Sequence, residues 1–429
     1  MLDKIIFGTK DFLPDDHKYF TFLKKVFRHE FRKNGFRRIS TPIIENLSMQ
    51  KDVYGEKFVS ENIFKVDDNM GLRTDPSLGV LKAYLLRELD EEIQPVHLYH
   101  VDRYFSKTIS TCGYRENYLI GGDIIGESDA ILDAILVYIT YSTLNKIGLE
   151  NTFKIRINSV PSKKEMDKYL EELKNFYENK KHLLSDEGLQ NLNESPLKLL
   201  NSIHEDEQIL AREAPIISKF LKKDSKAHFE KFKEYIDFLK IPYEIDNLLV
   251  PEFSYCTNTI WNVNQIGTNK LISSGGRHNF LSKIIGSDKE VPSVGFTINV
   301  DCLIKMLKEK EIKIRNKDEL DLYFVQLGDE AKKLVLNLSL EAREKGVKTM
   351  VSLGTPSMKE QILKAQRTGA KFVVMVGIME ARNGRFQVRD MLKGTQEEVN
   401  QDDLINYIIG KIGENNLDFY CPARDLTMG

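Results

Sequence analysis

Several absences narrow the function of this 429-residue chain before its motifs are considered. Its four cysteines, Cys112, Cys256, Cys302 and Cys421, are scattered and form no C-x-x-C pair. The spacing therefore suggests neither a disulfide framework nor a zinc site, and no metal site is expected. Free thiols of this kind suit a reducing compartment. No apolar run approaches the roughly 18 residues that span a bilayer. The N-terminal residues pass directly into Lys4-Ile5-Ile6-Phe7-Gly8 without a charged-then-apolar leader. A cytoplasmic location and no membrane partner are the expectations. Lysine plus arginine (62) nearly cancels aspartate plus glutamate (64), so the global basic excess that advertises a nucleic-acid binder is missing. A neutral chain can still gather its basic residues on one face, so charge alone decides nothing about RNA.

What is present is a globular pattern. A hydrophobic content of 41% can fill several cores, and at about 150 residues per domain the length corresponds to roughly two to four domains. Segment 15–35 reads as an amphipathic helix: Asp15 and Asp16 follow Pro14, Phe20, Leu23, Phe27 and Phe31 recur at helical spacing, and Gly35 stops it. Phe36 to Glu45 is strand-like and carries Pro42, which belongs at a sheet edge or bulge. A long helix feeding an edge strand suggests a homodimer surface. Short strands follow at 63–66, 71–74, 96–101, 118–125 and 153–158, with helices near 78–89 and 128–147. Short neighbouring strands with inserted helices predict an antiparallel sheet in an α+β domain.

From about Lys163 to Leu239 the chain is rich in Lys, Glu and Leu, and the spacing of Tyr169, Leu173 and Phe176, then of Phe229, Phe232 and Tyr235, predicts an all-helical insertion. Sheet-like segments resume at 259–264 and 270–273 and lead into Gly275-Gly276-Arg277. Beyond the charged linker 308–321, strands and helices alternate: strands at 322–327, 348–353 and 372–377, with helices at 330–345 and 358–368. This predicts a small α/β domain with a largely parallel sheet.

Several of these stretches resemble the histidyl-tRNA synthetase family of class II aminoacyl-tRNA synthetases, and the resemblance covers nearly the whole chain. Gly8-Thr9-Lys10-Asp11-Phe12-Leu13-Pro14 is similar to its N-terminal signature, and Thr41-Pro42-Ile43-Ile44-Glu45 to motif 1, the dimer motif. Glu194-Ser195-Pro196-Leu197-Lys198-Leu199-Leu200 resembles a segment of its insertion. Gly369 to Gly377 with Val388-Arg389-Asp390-Met391 resembles its anticodon-binding domain. The resemblance implies a class II core over 1–160 and 248–310, a helical insertion over 161–247 and an anticodon-binding-like α/β domain over 320–429. It also implies ATP with magnesium as cofactor, tRNA or a tRNA-like RNA as partner, and a homodimer joined through the motif 1 region. A protein partner is a further expectation for a chain with a regulatory role.

The chemistry implied is attack of a histidine carboxylate on the α-phosphorus of ATP, which requires positive groups where phosphate charge builds. Arginine suits that task because it is always charged and can bond two oxygens at once. By resemblance, Arg103 falls on the motif 2 arginine and Arg115 on a loop arginine, the nucleotide-binding candidates. Phe105 replaces a glutamate, and Leu119 replaces a glutamine that contacts histidine. An unpaired ligand group opposite an isobutyl side chain costs about 1 to 3 kcal/mol. Asp75 and Asp123 stand where the family has glutamates. With Ser77, Leu119, Tyr255 and His278 they form the candidate amino-acid pocket, framed by Gly121, Gly275, Gly276 and Gly295. Two expected arginines are missing: Pro251-Glu252-Phe253-Ser254-Tyr255-Cys256 replaces Arg-Gly-Leu-Asp-Tyr-Tyr, and Cys302 replaces the motif 3 arginine. Asn279 stands for an aspartate, and Asn299 is a further change at motif 3.

Losing one such cation costs roughly two to three orders of magnitude in rate, and up to about five on a transferring phosphoryl group. The expectation is a histidyl-tRNA synthetase paralogue that no longer aminoacylates, with no catalytic residue retained, acting as a tRNA-binding or regulatory protein. The competing readings are an active but divergent histidine–tRNA ligase and a relative of the regulatory subunit of ATP phosphoribosyltransferase. An aspartate after Leu72-Arg73-Thr74 fits that second group, most of which lack the insertion and the C-terminal domain.

Overall fold

The computed structural model describes residues 6–251, 253–314, 319–352 and 357–418. Glu252, Leu353, Cys421 and part of the charged linker therefore lie outside the described residues. The chain divides into two compact units, 1–314 and 315–429.

The first unit opens with α1 (Pro14–Lys33), where Pro14 starts the helix, Asp15 and Asp16 sit at its positive end, and Arg32 and Lys33 sit at its negative end. Its stripe of Leu23, Phe27 and Phe31 is buried in the main core. The strand expected over 36–45 breaks into β1 (Arg37–Arg38) and β2 (Ile44–Asn46), because Pro42 between them donates no ladder hydrogen bond. Next come α2 (Leu47–Tyr54), α3 (Glu56–Asn62), β3 (Met70–Leu72) and α4 (Pro76–Leu86). The strand expected at 63–66 is reduced to one bridge, Lys65 with Gly71. Then follow β4 (Val96–Phe105), β5 (Glu116–Ile125), α5 (Ile131–Lys146) and β6 (Phe153–Val160).

Residues 161–247 are helical apart from one short strand: α6 (Lys163–Glu178), α7 (Asp186–Glu194), α8 (Glu205–Glu213), α9 (Lys223–Phe238) and β7 (Glu244–Ile245). Tyr169, Leu173, Tyr177, Leu192 and Leu210 give the first three helices a core of their own. The fourth, α9, instead contributes Phe229, Phe232 and Ile236 to the main core, where the Phe232 ring stacks on Trp261. The unit ends with β8 (Thr257–Gln265), β9 (Leu271–Arg277), α10 (Leu281–Ile284), β10 (Ser293–Asn299) and α11 (Val300–Glu309).

Eight strands form one sheet in the order β1-β4-β5-β10-β9-β8-β6-β7. All internal pairs are antiparallel, as expected for the α+β core, and only the two-residue edge strands β1 and β7 pair in parallel.

The second unit contains β11 (Leu322–Gln326), α12 (Asp329–Glu344), β12 (Thr349–Val351), α13 (Met358–Arg367), β13 (Phe372–Val376), α14 (Ile378–Asn383), β14 (Arg385–Asp390), β15 (Gln396–Asn400) and α15 (Leu404–Ile412). Its sheet runs β12-β11-β13-β14-β15. The largely parallel expectation holds for β12, β11 and β13, whereas β14 and β15 are antiparallel. The segment joining β13 to β14 carries only the short α14, less than a parallel crossover needs. Among the described residues no helix is long and apolar enough to cross a membrane.

Candidate functional site

Two cavities open on one face of the large sheet. The first, of about 330 Å³, is lined by Thr74, Asp75, Tyr104, Ser106, Ser110, Thr111, Leu119, Ser273, Thr297 and Asn299 among others. The second, of about 190 Å³, is lined by Asp75, Ser77, Pro251, Tyr255, Gly275, Gly276, His278 and Gly295 among others. Asp75, Phe253, Leu271, Ser274 and Thr297 border both. The fold thus gathers Asp75, Ser77, Leu119, Tyr255, His278 and three of the expected glycines. Asp123 is buried in β5 and sits against Gly295.

The glycines serve close approach. A Cβ on Gly295 would collide with Asp123 Oδ1, one on Gly275 with the Trp261 ring, and one on Gly121 would stand 2.5 Å from His100 Nε2. A Cβ on Gly276 would come 2.8 Å from the Thr259 carbonyl. Side chains at Gly121 and Gly295 would displace the buried polar group that these two frame.

That group is Asp123 with two histidines. His100 Nε2 lies 3.8 Å from Asp123 Oδ2, and His278 Nε2 lies 3.9 Å from Asp123 Oδ1. These distances are too long for hydrogen bonds. Neither Asp123 oxygen, neither His100 nitrogen, nor His278 Nε2 has a hydrogen-bond partner among the described residues. Burial pushes the Asp123 carboxyl well above the usual range, and the Asp75 charge pushes it further. Asp75 caps α4 by accepting from the Ser77 backbone N–H at 2.8 Å. Burial still raises its carboxyl, against the lowering effect of that bond. Burial, with help from the Arg73 charge, lowers His100 to about 3. Burial also lowers His278 to about 4, opposed by its hydrogen bond to the Gly276 backbone. A buried carboxyl with two unmatched oxygens is an acceptor for a ligand's ammonium or N–H group.

The cations lie elsewhere. Successive side chains of a strand face opposite sides. Tyr104 and Leu119 border the cavities, whereas Arg103 donates 2.7 Å to the Tyr118 hydroxyl and 2.6 Å to Glu116. Tyr118 in turn packs on Phe12 and on Phe20 of α1, on the other face. Phe105 is the last residue of β4 and pairs with Glu116. The Arg115 backbone N–H donates 2.7 Å to the Gly8 carbonyl, and its guanidinium lies 6.0 Å from the Phe7 ring, outside both linings. Arg277 borders the second cavity, but its guanidinium is bound to Asp133 and to the Glu127 and Asp129 carbonyls. Asn279 accepts from the Ser293 backbone N–H and anchors β10.

The end of the motif 3 segment is built differently from expectation. Asn299 is the N-cap of α11, accepting from the Cys302 N–H at 3.2 Å, and it donates to Asn117 at 3.1 Å. Cys302 is disulfide-bonded to Cys112, with Cα atoms 5.5 Å apart. This corrects the reading that the scattered cysteines form no disulfide: chain spacing says nothing about residues 190 apart that the β4–β5 loop and α11 bring together. Sequence reasoning also passed over His100, Arg73 and Lys10. Lys10, inside the N-terminal signature, forms an ion pair of 2.5 Å with the buried Asp301. Among the described residues no three His, Cys, Asp or Glu side chains are grouped to hold a metal.

Residues 8–303 match the sequence model of the Histidyl-tRNA synthetase family, and residues 302–411 that of the Anticodon binding domain. The chain belongs to the histidyl-tRNA synthetase family. It is 29% identical over 407 residues to the histidine–tRNA ligase of Halothermothrix orenii, covering 93% of this chain and 97% of that protein. The structure is similar to apo histidyl-tRNA synthetase of S. aureus, with a TM-score of 0.77 and 27% identity, covering 95% of this chain and all of that one. It also shares its fold with an ATP phosphoribosyltransferase regulatory subunit/histidyl-tRNA synthetase from Bacillus halodurans, with a TM-score of 0.60 and 17% identity over 88% of this chain and 99% of that one. The family normally uses ATP and magnesium. Among the described residues, neither lining turns a free lysine or arginine head toward a triphosphate, since the Arg277 guanidinium is bound to Asp133. These side chains do not fit a triphosphate, which needs cations on its oxygens.

Proposed function

We propose that this member of the histidyl-tRNA synthetase family does not charge tRNA and acts as a tRNA-binding or regulatory paralogue. The observation that carries this reading is the face of the sheet on which the cations stand. No described lysine or arginine head is aimed into either cavity, Arg103 is on the opposite face, and the two positions expected to carry further arginines are Pro251 and Cys302. Developing phosphate charge would go uncompensated, at about two to three orders of magnitude in rate per missing group. The helical insertion and the anticodon-binding domain favour RNA as the partner.

The deciding measurement is histidine-dependent ATP/pyrophosphate exchange on the purified chain. Exchange near the rate of ordinary synthetases would overturn the proposal and establish the second reading, an active divergent ligase, which the similarity to ligases along nearly their full length favours. A filter-binding titration with total tRNA at low, stated salt tests the RNA reading, and no binding there counts against it. A homodimer through the motif 1 region, where Ile43 and Ile44 are exposed, would give twice the 49.5 kDa chain mass by light scattering. The regulatory subunit of ATP phosphoribosyltransferase is supported by Asp75 and a shared fold alone.

A further inference from the structure

We propose that Cys112 and Cys302 are a reversible thiol–disulfide switch that fastens the loop between β4 and β5 to the first turn of α11 at the edge of the larger cavity. Their Cα separation of 5.5 Å lies within the range of unstrained disulfides. The bond joins the two walls of one cavity: Ser110 and Thr111 of the loop line it from one side, and Leu271 and Asn299 from the other. The stems of the loop are tied by the Lys107 N–H and the Thr108 hydroxyl to Asn62 and by the Arg115 N–H to Gly8, whereas two hydrogen bonds and the disulfide fasten its tip to this wall. Thr111 donates to the Leu271 carbonyl at 3.2 Å, and Lys305 donates to the Cys112 carbonyl. Breaking the covalent tie leaves the loop tip at Thr111 and Cys112 on those two bonds.

Both sulfurs are buried, so exchange with a small thiol or disulfide proceeds through local opening of the loop tip. Cys302 sits in the first turn of α11, where its N–H is bound by the Asn299 cap and its Sγ lies 3.6 Å from the Leu271 carbonyl. The Lys10 and Lys305 ammonium groups stand over the Tyr114 ring at 4.5 and 4.8 Å, two residues from Cys112. Burial holds Lys305 below its ordinary value, and the charges of Lys270 and Lys10 add to this. The Lys10 charge is matched by its ion pair with Asp301, one residue from Cys302, and Asp301 and Glu309 also face Lys305. With a low-molecular-weight disulfide such as oxidised glutathione as oxidant, one thiolate attacks and releases the first thiol. The second thiolate then displaces the mixed disulfide and releases the other. The two protein thiols lose two protons and two electrons, and the oxidant becomes two thiols.

The test uses the full chain equilibrated in glutathione buffers, alkylated and mapped by mass spectrometry, with Cys256 and Cys421 as reference thiols. Cys112 and Cys302 should be linked in oxidised buffer and should become alkylated together in about a 100-fold excess of reduced glutathione. Deuterium uptake over the loop tip, residues 111–114, should be at least about threefold slower in the linked form. Cys112→Ser and Cys302→Ser should each show the fast uptake in both buffers. Thiols that stay alkylatable in oxidised buffer would overturn the switch. So would a bond that survives the reduced buffer, equal uptake in the two forms, or slow uptake retained by either variant.

Discussion

The Arg103 guanidinium donates 2.7 Å to the Tyr118 hydroxyl on the face of the sheet opposite the two cavities. Tyr104, one residue on, borders the larger cavity. A residue recognised by its place in a motif therefore acts as a surface ion-pair member with Glu116. Exposed pairs contribute about 0 to 1 kcal/mol. Arg103→Ala should lower stability by no more than that in urea unfolding, and should leave any ATP affinity measured by calorimetry unchanged within error. A tenfold loss of ATP affinity would put Arg103 back in a nucleotide site.

The neutral His278 ring makes stability depend on pH. Its folded value of about 4 lies below its ordinary 6.5. Its contribution is complete above about 6.5 and is lost as pH falls toward 4, at about 1.4 kcal/mol per pH unit. His278→Gln should remove this slope, so that the stability curves of the two proteins converge between pH 6.5 and 4. Parallel curves would count against a neutral buried imidazole.

Asp123 has the opposite sign. Its carboxyl is held well above the usual value by burial and by Asp75, so stability is lost as pH rises above about 3.8. Asp123→Asn should gain on the native protein as pH is raised from 4 to 8, by up to about 1.4 kcal/mol per unit until the folded carboxyl ionises. A gap that stays constant with pH would show a carboxylate already charged and satisfied.

Arg277 is fully buried, and it satisfies Asp133 and two carbonyls. Arg277→Ala leaves that buried carboxylate with only His228, 3.5 Å from its other oxygen, and should cost about 3 to 5 kcal/mol in urea unfolding. A loss below 1 kcal/mol would mean that the pair is not formed.

Asn299 caps α11 and bonds Asn117 across the sheet. Asn299→Ala should cost about 0.5 to 2 kcal/mol, read as a lower urea midpoint at unchanged slope. Its presence at motif 3 is explained by this cap and cross-strand bond without any ligand.

Much of the frame was legible. The stripe of Leu23, Phe27 and Phe31 marks α1, and the alternation of strand and helix after Asp321 marks the second unit, because both follow from local periodicity. The grouping of Asp75, Ser77, Leu119, Tyr255 and His278 was legible only through resemblance, since these residues come from four separate stretches of chain. His100 carried no signal: a histidine among apolar strand residues looks the same whether or not it faces a buried acid.

The sequence by itself determined the family and the order of the elements, because these depend on residue identity and local spacing. Tertiary structure decided on which face Arg103 stands, that Arg277 belongs to Asp133, and that Cys302 meets Cys112. Strand parity and long-range pairing settle those questions, and both depend on register between segments that chain spacing does not encode.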